Sequence, residues 1–207
     1  MNKSILLAIL TLVLTSACAK QVSQTDKDAL PSEVRTIVVL PTVPLPETNA
    51  AEAAPHASKQ LQGGVETMNQ LLGEYFANNT KVHLLSNEEV DSHTTKYNAD
   101  QSDQALAIAR DLKSEAVMIL HLNRFRERRG GDYSVQEPAS VAFDYLLVHT
   151  ETGKTLCAST FEETQQSITE NLLSLRRIAK RGFKWITAAD LAREGVIEKL
   201  SDCKYLQ

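Results

Sequence analysis

Eight residues near the middle of the chain, Glu115–Leu122 (EAVMILHL), restrict its fold more than any other segment. Their apolarity runs on with little alternation, so the segment predicts a strand covered on both faces. A sheet carrying helices on its two sides provides that cover, which places the chain in the α/β class.

The flanking patterns agree. Arg35–Leu40 (RTIVVL) is a β-branched run closed by Pro41 and predicts a buried strand, and the four prolines of PTVPLPETNAAEAAP predict a loop. From about His56 the pattern turns helical, with Leu61, Val65, Met68, Leu72 and Tyr75 or Phe76 on one stripe. Gly63-Gly64 weakens that helix locally and permits a neighbour to approach closely. Lys81–Leu85 reads as a short strand, and Ser86-Asn87-Glu88-Glu89 as a capping box that opens a short helix. Ser102 then opens DQALAIARDLK, in which Ala105, Leu106, Ala109 and Leu112 share a face.

After Glu115–Leu122, the stretch Asn123–Arg128 alternates, and Gly130-Gly131 marks a turn into the strand Ala139–Thr150. A tight turn at Glu151-Thr152-Gly153-Lys154 leads to Thr155–Phe161, so the last three strands are expected to be consecutive and antiparallel. A second capping box, Ser167-Ile168-Thr169-Glu170, opens a helix with Ile168, Leu172, Leu175 and Ile178 on one face. Beyond Gly182, Thr187-Ala188-Ala189-Asp190 starts a last helix that packs through Leu191, Val196 and Leu200. The expectation is an α/β chain with a mixed sheet of about five strands, helices packed on it, and a C-terminal helical extension.

The amino end carries a different kind of information. Lys3 supplies a positive region, Ile5–Leu14 an apolar run, and Thr15, Ser16 and Ala17 small residues before Cys18. A membrane-spanning helix needs about 20 apolar residues, so this shorter run reads as a removable export signal. Leu14-Thr15-Ser16-Ala17-Cys18 resembles a bacterial lipobox, which implies a diacylglyceryl group on Cys18 and cleavage just before it; the alternative is an ordinary secretory signal cut at the same bond, which Thr15-x-Ala17 also suits. Ala19, in place of Asp, resembles an outer-membrane destination. Residues 19–33 are polar and without apolar period, a flexible tether. The expected organisation is a signal over 1–17, lipidated Cys18 and tether over 18–33, an α/β domain over 34–180, and the extension over 181–207.

Removing the signal takes away one lysine and leaves 21 basic against 26 acidic side chains, a formal charge of −5. That balance lacks the basic excess of a nucleic-acid binder. If Cys18 is lipidated, Cys157 and Cys203 remain as a pair able to form a disulfide in an oxidising periplasm; the alternatives are a small buried hydrophobe and an incidental thiol.

The chemistry-bearing residues are sparse. Five histidines include no pair at helical spacing, and there is no His-Glu-x-x-His or Cys-x-x-Cys, so neither metal nor cofactor is expected. His121 and His149 lie in or at the end of strands and could face each other. Glu162, Glu163 and Glu170 could supply an acid/base pair, although glycan hydrolysis needs two carboxylates held about 5 to 9.5 Å apart. Basic residues concentrate at Arg124, Arg126, Arg128 and Arg129, and again at Arg176, Arg177, Lys180, Arg181 and Lys184. One reading is a patch for an acidic partner, anionic polysaccharide or lipid headgroups. The other is a charged strand edge plus a basic helix C-terminus. Trp185 is either an interface anchor or a staple for the last helix.

The strand ending VVLP, the long helix with its small-residue pair, ALAIARDLKSEAVMILHL and FDYLLVHTETGKTL together resemble periplasmic domains related to the amino-terminal domain of TolB. That group includes CsgG, LpoB and PelC, and the resemblance spans roughly residues 34–180. The sequence departs from the group's pattern where Lys113-Ser114-Glu115 replaces Gly-x-Asp and where Cys157 replaces a Trp. The resemblance implies an α/β fold and a non-catalytic role as a structural or accessory subunit of an envelope export or assembly complex. Its ring-forming members admit a homo-oligomer. It also allows contact activation of a peptidoglycan synthase, and an enzyme acting on envelope glycan is a further alternative.

Overall fold

The computed structural model describes residues 30–45, 55–93, 102–130, 135–165 and 186–207. The export signal, Cys18, most of the tether, the capping box at Ser167 with its helix, and Glu170, Arg176, Arg177 and Trp185 lie outside the described residues.

Eight strands and four helices follow one another among those residues: β1 (Ile37–Val39), β2 (Val43–Pro44), α1 (Pro55–Phe76), β3 (Val82–Leu84), α2 (Asn87–His93), α3 (Ser102–Asp111), β4 (Ala116–Arg126), β5 (Arg129–Gly130), β6 (Val135–Glu137), β7 (Ser140–His149), β8 (Thr155–Thr164) and α4 (Ala188–Ser201). The main sheet has the order β3-β1-β4-β7-β8, with β2 prolonging the β1 side of β4. The pairs β3–β1, β1–β4 and β2–β4 are parallel and the pairs β4–β7 and β7–β8 antiparallel, so the sheet is mixed.

As its unbroken apolarity requires, β4 is central, with Ala116–Leu120 buried throughout. Its side chains divide between two cores. Met118, Leu120 and Leu122 pack with Met68, Leu72 and Phe76 of α1 and with Leu191, Val196 and Leu200 of α4. Val117 and Ile119 pack with Val90 of α2 and with Ala105, Ile108 and Ala109 of α3. The reading of the Arg-rich stretch as a sheet edge is corrected in part: only the far end of β4, past the β2 pairing at Leu122, has β7 alone as its neighbour.

Other details also differ from expectation. The proline-rich loop contains the two-residue β2, because residues 43 and 44 continue along β4. Gly130 joins a small β5–β6 hairpin between β4 and β7, where a simple turn was expected. Strand β8 runs on to Thr164, three residues past Phe161, and so carries Glu162 and Glu163 within the sheet. His121 and His149 do not face each other: His121 pairs with Asp144 and His149 with Ala116, five steps away or about 17 Å along the strand.

Both described capping boxes form. Glu89 N donates to Ser86 Oγ at 3.2 Å and Ser86 N to Glu89 Oε2 at 2.8 Å, and Asp190 N donates to Thr187 Oγ1 at 3.1 Å. Helix α3 ends in a Schellman motif: Ser114 N donates to Ala109 O at 2.8 Å and Lys113 N to Arg110 O at 3.0 Å. The motif puts Lys113 at φ 54°, the left-handed conformation that the Gly of the TolB-related pattern would adopt without strain. Lys113→Gly is therefore expected to stabilise the domain by about 1 kcal/mol, seen as a higher urea midpoint at unchanged slope.

The C-terminal helix, read from sequence as an extension, shares the larger core, and so does the tail after it, through Cys203, Tyr205 and Leu206. Cys157 of β8 and Cys203 are bonded, with their Cα atoms 6.0 Å apart. Tyr205 Oη donates to Pro31 O at 2.7 Å, Asn79 Nδ2 to Leu206 O at 3.0 Å and Lys81 Nζ to Gln207 O at 2.6 Å. The first and last described segments are thereby tied to one place.

Candidate partner-binding surface

The far end of the sheet gathers most of the polar side chains singled out from the sequence. A bulge at Asn123 shifts the β4 register so that Leu122 pairs with Phe143 but Arg124 with Ala142. In an unbroken strand Leu122 and Phe125, three apart, would point to opposite faces. The bulge lets both face the larger core and turns Arg124 and Arg126 to the other side of the sheet.

On that side, beyond α2 and α3, two polar networks bridge the strands. Asp144 Oδ2 lies 3.0 Å from His121 Nδ1, and Asp144 Oδ1 accepts from Asn123 Nδ2 at 2.8 Å. His121 Nε2 is buried and has no hydrogen-bond partner among the described residues. The second network joins three strands: Arg124 Nε donates to Ser140 Oγ at 2.8 Å and its Nη2 to Glu162 Oε1 at 2.9 Å, and Ser140 Oγ lies 2.6 Å from Thr164 Oγ1.

These pairings change the character of the basic cluster. The Arg124 side chain is only 13% exposed and is committed to Ser140 and Glu162, which leaves little of it for an outside ligand. Arg129 pairs with Glu137 at 3.3 Å. Glu127, between the arginines, reaches across 61 residues to accept from Ala188 N at 3.1 and 3.2 Å, so its carboxylate sits on the first turn of α4. Arg126 is exposed and Arg128 half-buried. The surface is thus a mosaic of paired charges with Arg126 standing out from it, which suits recognition by matched charge better than bulk attraction to polyanions.

Of the carboxylates considered for acid/base chemistry, Glu170 lies outside the described residues and the other two separate. Glu162 and Glu163 are successive residues of β8 and therefore point to opposite faces of the sheet, so they cannot flank one glycosidic bond. Among the described residues there is no group of three or more His, Cys, Asp or Glu side chains that could hold a metal ion. Sequence reasoning missed the Asp144 cluster and the capping role of Glu127, since both depend on pairings between distant segments. The odd interval between Leu122 and Phe125 was the one local signal of the bulge.

No protein-family model matches the chain, and no curated protein matches it by sequence. Solved structures do. It is similar to the PelC dodecamer from Paraburkholderia phytofirmans at 14% identity over 86% of this chain and 94% of that one, with a TM-score of 0.47. It is similar to the LpoB C-terminal domain from Salmonella enterica at 16% identity over 67% of this chain and 87% of that one, with a TM-score of 0.35. A lipoprotein from Neisseria meningitidis shares 16% identity over 71% of this chain and 92% of its own, with a TM-score of 0.40. PelC and LpoB are two of the proteins whose domains the sequence signatures resemble.

Proposed function

We propose that the protein is an outer-membrane-anchored lipoprotein whose α/β domain works by contact, as a non-catalytic accessory or structural subunit of a periplasmic export or assembly complex. The observation that carries this reading is the Cys157–Cys203 bond. Disulfides persist in oxidising compartments, and this pairing leaves Cys18, at the lipobox position, as the remaining one of three cysteines. The signatures shared with TolB-related domains point the same way. So does the placement of Glu162 and Glu163 on opposite faces of β8, which does not suit the two of them to act as a hydrolytic pair.

The tether then sets a working distance. Thirteen residues lead from Cys18 to Pro31, a span of at most about 45 Å, so the domain operates close to the membrane that holds it.

Two measurements on cells test the reading together. The mature amino terminus is expected to carry the mass of a lipidated Cys18. Photo-cross-linking from position 126 in intact cells is expected to give a discrete product with an envelope protein, lost when Cys18→Ala releases the domain. An unmodified Cys18 would return the protein to the soluble periplasm, and a cross-link pattern indifferent to the anchor would remove the accessory role.

A further inference from the structure

The carboxyl ends of β1 and β3 open onto a crevice that the surface at the far end of the sheet does not include. The two strands are parallel neighbours, yet the chain leaves β1 toward α1 on one face and leaves β3 toward α2 on the other. Neighbouring strands whose connections depart to opposite faces leave a gap beyond their carboxyl ends, and open α/β sheets bind ligands in that gap. Here the gap is a cavity of about 400 Å³, within the range of ligand sites.

Its lining mixes two chemistries. Val39, Pro41, Leu72 and Leu84 supply apolar lining, and Asn69, Glu88 and Glu89 supply polar lining. Glu89 is held as a carboxylate: the Ser86 backbone N–H and then the Ser86 hydroxyl lower its pKa below the usual range. His83 Nε2 lies 3.8 Å from its other oxygen. Glu88 is exposed and makes no ion pair among the described residues. Asn69 is fixed by the Thr42 N–H, which donates to its Oδ1 at 2.8 Å.

That combination selects its occupant. An anion would meet two carboxylates, and a purely apolar group would leave Glu88 without a partner. A cation on an aliphatic stem satisfies both parts, with methylenes against Val39, Leu72 and Leu84 and the charge beside Glu88. Because the cavity is open to the surface, the backbone that carries the side chain can stay outside. We propose that this crevice takes a lysine or arginine side chain presented by a segment of a partner protein, an inference that rests on the accessory-subunit reading for the partner's being a protein.

The test uses the mature chain and short peptides with one variable central residue, followed by the NMR shifts of the Leu40, Leu85 and Glu88 amides. Lysine and arginine peptides are expected to give saturable shifts there, and the glutamate peptide none. Glu88→Gln, an exposed change that leaves the core intact, is expected to weaken the lysine peptide about fivefold, the value of a favourable exposed ion pair. Equal binding of a norleucine peptide, equal affinity in Glu88→Gln, or no saturable shift would overturn the proposal. A free alkylamine binding as tightly as the peptide would overturn its protein partner and assign the crevice to small amines. None of these results bears on the lipidation of Cys18, so a failure here and a failure of the anchored-subunit reading are told apart.

Discussion

A Cys157→Ala, Cys203→Ala variant is expected to lose about 4 kcal/mol of stability against urea, and the parent protein under reducing conditions is expected to lose a similar amount. The bond closes a loop of 46 residues, and in the chain-entropy account a loop of that length restricts the unfolded chain by that much. Alanine is the informative replacement, because Cys203 is 2% exposed and a serine hydroxyl there would add the cost of an unsatisfied polar group. The loss should begin at one end of the molecule. Tyr205 and Leu206 are buried beside Cys203, so amide exchange in the tail should accelerate before exchange in β4 does. A midpoint that is the same with and without reductant would show that the bond contributes nothing.

The second large effect concerns two adjacent glycines of α1 that should respond with opposite signs. A Cβ on Gly64 would lie 2.5 Å from Phe125 Cγ and 2.9 Å from Leu122 Cδ2, closer than packed carbons approach. Phe125 belongs to the larger core and sits just past the β4 bulge, so it has little freedom to retreat. Gly64→Ala is therefore expected to destabilise by about 2 to 3 kcal/mol. Gly63 has nothing within 4 Å of its added Cβ and lies on the exposed side of the helix, so Gly63→Ala should stabilise by about 0.8 kcal/mol through helix propensity alone. Thermal melts of the two single variants decide the matter, and two shifts of the same sign would refute the close approach of helix and strand.

What could be read from the sequence was what depends on near neighbours. The capping boxes at Ser86 and Thr187 join residues three apart, and both are present. The burial of β4 on both faces followed from continuous apolarity, and the close packing suspected at Gly63-Gly64 falls on Gly64. What could not be read depends on which distant segments meet. Arg124 looks like part of a free basic cluster until β8, 38 residues on, brings Glu162 against it. Glu127 looks like a break in that cluster until α4 places Ala188 N at its carboxylate. The left-handed turn at Lys113 was hidden for another reason: lysine carries no signal for that conformation, and only its replacement of a glycine in a resembled pattern marked the place.

The tie between Tyr205 and Pro31 has a mechanical meaning. In the proposed reading, in which Cys18 is lipidated and the domain grips a partner, the protein is a link under tension, and the pull enters at the residues where the tether joins the body. Here that junction leads to β1 through the chain itself, and across the tyrosine to a tail that Cys203 rivets to the edge strand β8. In that reading a pull from the membrane is divided between β1 and β8, which lie on the two sides of β4 and β7 in the strand order.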